Sequence, residues 1–140
     1  MPHLVILYSP NLELKADFTA LCRAMANAML AVRDEAGAQV FPNGGTRVFA
    51  FPAAHYAVAD DSPPAGKDYG FIWLNLRMAK GRSPEVHKRA GEAVSNTAKT
   101  QLGHLITNGL VGITTQVDEG QEVYDNKFSS LHSFFQNGKQ

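Results

Sequence analysis

The chain opens Met1-Pro2-His3, and a strand-like apolar run follows at once over residues 4–8. Removal of the initiator methionine would leave Pro2 as the N-terminus, a secondary amine on a rigid ring at the end of a strand. An ordinary α-amino group titrates at about 7.7–8.0. A modest downward push therefore leaves such an amine neutral near pH 7 and able to act as a general base. Proline at position 2 is also common as nothing more than a stable N-terminus, so the reading depends on what surrounds it.

The other reactive residue types point to structure. Cys22 falls on the apolar stripe of the first helix and reads as core rather than nucleophile. The histidines at positions 3, 55, 87, 104 and 132 lack a metal-ligand spacing. His87, early in the second helix, reads as solvated; His3 should face away from Leu4 across the strand. The turn at Asn43-Gly44-Gly45 has neither a GKS nor a GxGxxG pattern and is not a phosphate loop.

The elements that must position these residues follow from periodicity. A chain of 140 residues fits one domain with a real core. Residues 4–8 form a first strand. Leu14, Phe18, Leu21, Cys22, Met25 and Met29 recur at helical spacing and predict a helix over about 13–33. Gly37 and Pro42-Asn43-Gly44-Gly45 turn the chain into a second strand at 46–51. A Pro- and Asp-rich loop covers 52–68. A third strand follows at 69–78, with Ile72, Leu74, Leu76 and Met78 on one face and Phe71, Trp73, Asn75 and Arg77 on the other. Ser83 and Pro84 start a second helix as N-cap and first helical residue. Its buried stripe is Val86, Ala90, Val94, Ala98, Leu102 and Leu105, and Asn108-Gly109 stops it. A fourth strand covers 110–117. The tail, 119–140, holds a hairpin or helical turn around Phe128, Leu131, Phe134 and Phe135.

This is an α+β, two-layer pattern: tandem βαβ units, 2–51 and 69–118, making one four-stranded sheet with two helices on one face. All of 1–140 reads as a single domain. The sheet's other face needs a cover, and its mix of Trp, Asn and Arg suits another subunit as well as water. Balanced charge, 13 basic against 13 acidic residues, gives no reason to expect nucleic acid or an anionic membrane as partner. No apolar run reaches membrane-spanning length. A single cysteine and the lack of a signal-peptide pattern suit a reducing cytoplasm.

The Pro2 start, the Gly44-Gly45-Thr46-Arg47 turn into the second strand, and Lys80-Gly81-Arg82-Ser83 before the Glu85–Ala93 helical stretch occur together. In this combination the chain resembles the 5-carboxymethyl-2-hydroxymuconate isomerase family of the tautomerase superfamily. The resemblance runs from Pro2 to about Glu119 and is most specific over 68–93. It implies a homotrimer of tandem βαβ subunits without metal or organic cofactor, and a Pro2 amine acting as catalytic base. It implies that Arg47 and Arg82 hold the carboxylates of a small unsaturated polycarboxylate. The implied reaction moves a proton from an enol oxygen to carbon, within the bacterial breakdown of homoprotocatechuate. An arginine at a helix N-terminus is not favoured by the helix dipole, which independently sets Arg82 apart.

The chain departs from the family pattern at Leu7, where an acidic residue is frequent, and at Phe49 and Ala57, where arginines are frequent. Its loop is also lengthened by Ser62-Pro63-Pro64-Ala65-Gly66. Fewer basic residues suit a smaller or less charged enol acid. Two other readings keep the fold: a hydratase or dehalogenase acting through Pro2, and an inactive trimeric binding or structural protein. Arg77 has no counterpart in the resemblance and reads as an interface residue.

Overall fold

A computed structural model describes residues 1–137. Its elements run β1 (His3–Tyr8), α1 (Phe18–Leu30), β2 (Arg47–Pro52), β3 (Tyr69–Ala79), α2 (Pro84–Asn108), β4 (Leu110–Gly120) and α3 (Ser130–Gln136). The strands form one sheet in the order β2-β1-β3-β4. β1 and β2 are parallel, β3 and β4 are parallel, and the two pairs join antiparallel through β1 and β3. The expected α+β architecture of two βαβ units is therefore the fold.

Alternation decides the two faces. Leu4, Ile6 and Tyr8 of β1 and Ile72, Leu74, Leu76 and Met78 of β3 are buried. They pack against Phe18, Leu21, Met25 and Met29 of α1 and the six predicted stripe residues of α2, all of them buried. A fully buried Leu, Ile or Met contributes about 1.5–3 kcal/mol relative to exposure. The opposite face carries His3, Val5 and Leu7, then Phe71, Trp73, Asn75 and Arg77, none of them buried.

The helix starts show which local signals win. Ser83 caps α2, its hydroxyl oxygen accepting from the Val86 N–H at 3.2 Å, and Pro84 occupies the first helical position. Ser83→Ala is expected to lower stability by about 1 kcal/mol, read as a lower midpoint in denaturant. α1 begins later than its periodicity suggests. Asp17 accepts from the Ala20 N–H at 2.8 Å and caps a helix that starts at Phe18, while Pro10–Leu12 forms a separate short 3-10 turn. Leu14 consequently lies between the two, 99% exposed, instead of on the buried stripe. Cys22 is half-buried at the edge of the core.

The tail is helical rather than a hairpin. α3 sets Phe135 against the turn before β2. Gly44 has a φ of 71°, and a Cβ there would come within 2.6 Å of the Phe135 ring. Gly44→Ala therefore combines left-handed strain with a ring clash and is expected to cost about 1–3 kcal/mol, measured as a fall in thermal midpoint. Phe128, ahead of α3, is fully exposed. The last three residues of the predicted tail lie outside the described range.

Candidate active site

The topology gathers one end of the sheet. β1 and β2 begin there and β3 and β4 end there, because the central pair is antiparallel and the outer pairs are parallel. The connection from β3 to α2 passes the same end through Gly81 and Arg82. Residues far apart in sequence, at 2, 47 and 82, are thereby brought to one region.

Pro2 is buried at the entry to β1, and its carbonyl accepts from the Arg47 N–H at 3.4 Å. Arg47 opens β2 directly opposite His3 and is exposed. In the described chain Met1 precedes Pro2, so the proline nitrogen is an amide there. The Met1 ammonium lies 3.7 Å from a Glu122 carboxylate oxygen.

Arg82 reaches this end from the helix side. Its Nη1 donates to the Ala79 carbonyl at 3.1 Å and its Nη2 to the Val40 carbonyl at 3.4 Å. The guanidinium carbon stands 5.9 Å from the centre of the fully buried Phe41 ring, a cation–π distance. Gly81, at φ 98°, makes the left-handed bend that turns the chain from β3 into Arg82 and the α2 cap. Arg82 is thus half-buried and held by these contacts, where Arg47 is exposed.

The electrostatics at this end are positive. Burial lowers the His3 pKa, and the terminal ammonium, Arg77 and Arg47 lower it further, while Glu122 opposes them. His3 is therefore neutral at pH 7, in the orientation expected: opposite Leu4 and tilted against Phe49, with 6.4 Å between ring centres. Arg77 and Glu122 belong to this neighbourhood and were not singled out as site residues by sequence. The alternation of β3 places Arg77 on the open face, but only the strand register shows that it is the partner of His3.

Other features lie along the helix face of the sheet. A cavity of about 630 Å³ sits between α1 and β2, walled in part by Tyr8, Glu13, Cys22, Arg23 and Thr46. Burial and the Glu13 hydrogen bond push the Tyr8 hydroxyl up to about 12. His87, expected to be solvated, is half-buried with Nε2 2.8 Å from Glu119, because the end of β4 runs beside the first turns of α2. Among the described residues no three His, Cys, Asp or Glu side chains gather as a metal site. No described helix is long and apolar enough to cross a membrane.

The sequence model of the 5-carboxymethyl-2-hydroxymuconate isomerase family matches residues 2–135. The chain belongs to this isomerase family. A crystal structure of a 5-carboxymethyl-2-hydroxymuconate delta-isomerase is 54% identical, with a TM-score of 0.92 over 100% of this chain and 96% of the other. The Escherichia coli 5-carboxymethyl-2-hydroxymuconate Delta-isomerase is 27% identical over 135 residues, 96% of this chain and 99% of that protein. A family isomerase structure from Deinococcus radiodurans R1 is 27% identical, with a TM-score of 0.80, covering 96% of this chain and 93% of its own. Membership makes the chain an enzyme of the isomerase class.

Proposed function

We propose that the chain isomerises 5-carboxymethyl-2-hydroxymuconate or a close unsaturated 2-hydroxy acid, with the Pro2 amine as base and acid. The observation that carries this is the position of Pro2. It enters the central strand beside Arg47, at the sheet end to which Arg82 is also anchored. Loss of Met1 turns the Pro2 amide into a secondary amine. That amine takes the proton from the enol oxygen, the electron pair passes into the conjugated chain, and the prolinium returns the proton to carbon. A C=C bond shifts and a C=O forms, with no net gain or loss of atoms.

Arg47 and Arg82 act on the carboxylates in this scheme. A guanidinium offers a planar fork to a carboxylate. Arg82 keeps N–H groups beyond the two that its carbonyl contacts use. The same positive charge stabilises the dienolate as it forms. It also disfavours the protonated amine and holds the Pro2 pKa down.

The pH profile follows with a definite sign. The rate on free enzyme rises with pH as the amine loses its proton. Arg47→Ala removes a cation beside the amine, so its pKa rises and the acid limb of the kcat/KM profile moves to higher pH. Glu122→Gln removes an anion and moves that limb to lower pH. A profile unmoved by either change would argue against Pro2 as the titrating base.

We also propose a homotrimer, assembled through the open sheet face. Phe49 and Phe51 stay 39% and 50% exposed there, beside half-buried Trp73, Val5 and Leu7. Two polar members of the face are already paired, Trp73 Nε1 with Gln116 at 2.6 Å and Asn75 with Asp118 at 2.7 Å. Uncovered rings beside paired Trp73 and Asn75 suit contact with further copies. Light scattering on the untagged protein should give three times the chain mass. The function itself is tested by following loss of enol absorbance with 2-hydroxymuconate and its 5-carboxymethyl derivative. Turnover of neither would overturn the proposed activity.

A further inference from the structure

Arg77 is a cation that the proposed chemistry leaves unassigned. The register sets Arg47, His3, Arg77 and Asp118 in one row across the four strands. Asp118 is the cross-strand neighbour of Arg77, but its carboxylate accepts from Asn75 at 2.7 Å. Among the described residues neither Arg47 nor Arg77 has an ion-pair partner. Two strand spacings separate their backbones, about 10 Å, and His3 lies between them. Two arginines without ion-pair partners at one end of the sheet leave positive charge there for an anion to offset.

The side chain of Arg77 stays at this end of the sheet. Its guanidinium lies against Gly120, where a Cβ would come within 2.5 Å of Nε and Nη2. Gly120 is the register partner of Ala79, and the Ala79 carbonyl accepts from Arg82. Arg77 and Arg82 therefore converge on one backbone pair from opposite faces of the sheet. That pair is at the end where β1 begins, so the Arg77 guanidinium lies over β4 at the same end of the sheet as Pro2, not over the middle of the open face.

We infer that Arg77 is a third carboxylate-binding residue of the site, taking the carboxylate by which a tricarboxylic enol differs from a dicarboxylic one. This rests on the reading of Pro2, Arg47 and Arg82 given above. A 5-carboxymethyl-2-hydroxymuconate carries three carboxylates, two from the muconate and one from the side arm, and two arginines account for two. The third cation also offsets the extra negative charge that a triacid brings beside the amine.

The test is kcat/KM for wild type, Arg77→Ala, Arg77→Lys and Arg47→Ala on 5-carboxymethyl-2-hydroxymuconate and on 2-hydroxymuconate, with oligomeric size recorded for each. Arg77→Ala is expected to lower kcat/KM on the triacid about 10- to 100-fold, mainly through KM, and to leave the diacid nearly unchanged. Arg77→Lys should recover part of the loss, since it keeps the charge and loses the fork. Arg47→Ala should lower both substrates together. An equal loss on both substrates in Arg77→Ala, or no loss on either, overturns the inference. Dissociation of the assembly in Arg77→Ala assigns the residue to a subunit contact and overturns it as well. Wild type inactive on both enols defeats the underlying activity and this inference with it; wild type active on both, with an undiscriminating Arg77→Ala, defeats the inference alone.

Discussion

Pro2→Ala in the processed protein is expected to lower kcat by about 10²–10⁴-fold, the range that a positioned general base contributes. Alanine at position 2 still leaves an amine, but a primary one on an unconstrained backbone. It lacks the ring that fixes where the nitrogen sits at the mouth of β1. Substrate binding should change far less than kcat, because the carboxylate contacts come from Arg47 and Arg82. Pro2 is buried, so the variant's circular dichroism and oligomeric size need to match wild type for the comparison to count. Equal kcat in a correctly folded Pro2→Ala enzyme would remove Pro2 from the chemistry.

Arg82→Ala is expected to lower kcat/KM by about 10²–10³-fold, the loss that follows removal of one positioned donor to developing negative charge. It differs from Arg47→Ala in a second readout. Arg82 donates to two carbonyls, of Ala79 and Val40, and stands over Phe41. Its loss leaves those carbonyls without a side-chain donor and should cost about 1–3 kcal/mol of stability. Among the described residues Arg47 makes no such contacts with its side chain, and it is exposed, so Arg47→Ala should change stability by less than about 0.5 kcal/mol. Activity falling in both variants with stability falling only in Arg82→Ala is the expected pattern. Arg82→Lys separates charge from geometry: it keeps the cation but cannot bridge two carbonyls and a carboxylate at once. Stability unchanged in Arg82→Ala would mean that the carbonyl contacts contribute nothing.

The second helix was readable in detail because three local signals agree there. Ser83 caps it, Pro84 opens it, and six residues from Val86 to Leu105 recur on one face and are all buried. At α1 two signals compete. The apolar spacing extends back to Leu14, yet the Asp17 side chain closes the helix end at Phe18 and Pro10 starts a separate turn. Periodicity alone does not record which polar side chain will find an N–H. The third strand was legible as two faces, and Ile72, Leu74, Leu76 and Met78 are indeed the buried one.

The candidate site was legible only in part. Pro2, Arg47 and Arg82 could be picked out from their local motifs. Their gathering at one sheet end comes from the order β2-β1-β3-β4 and its mixed direction, which no local pattern encodes. Arg77 and Glu122 belong to the same end for that reason alone. Arg77 is the register partner of His3 across 74 positions of sequence, and Glu122 follows β4 into the tail without any motif of its own. The Phe135 contact with Gly44 joins the tail to the turn before Arg47 across a similar gap.

The most direct test of the central claim is intact mass and enol ketonisation on the same untagged preparation, beside a form carrying one added residue ahead of Pro2. The untagged protein should lack one methionine and turn over the enol acid, and the extended form should fold, assemble and be inactive, because its Pro2 nitrogen is an amide. Full activity in the extended form, or in a preparation that retains Met1, would contradict a proline amine as the catalytic base.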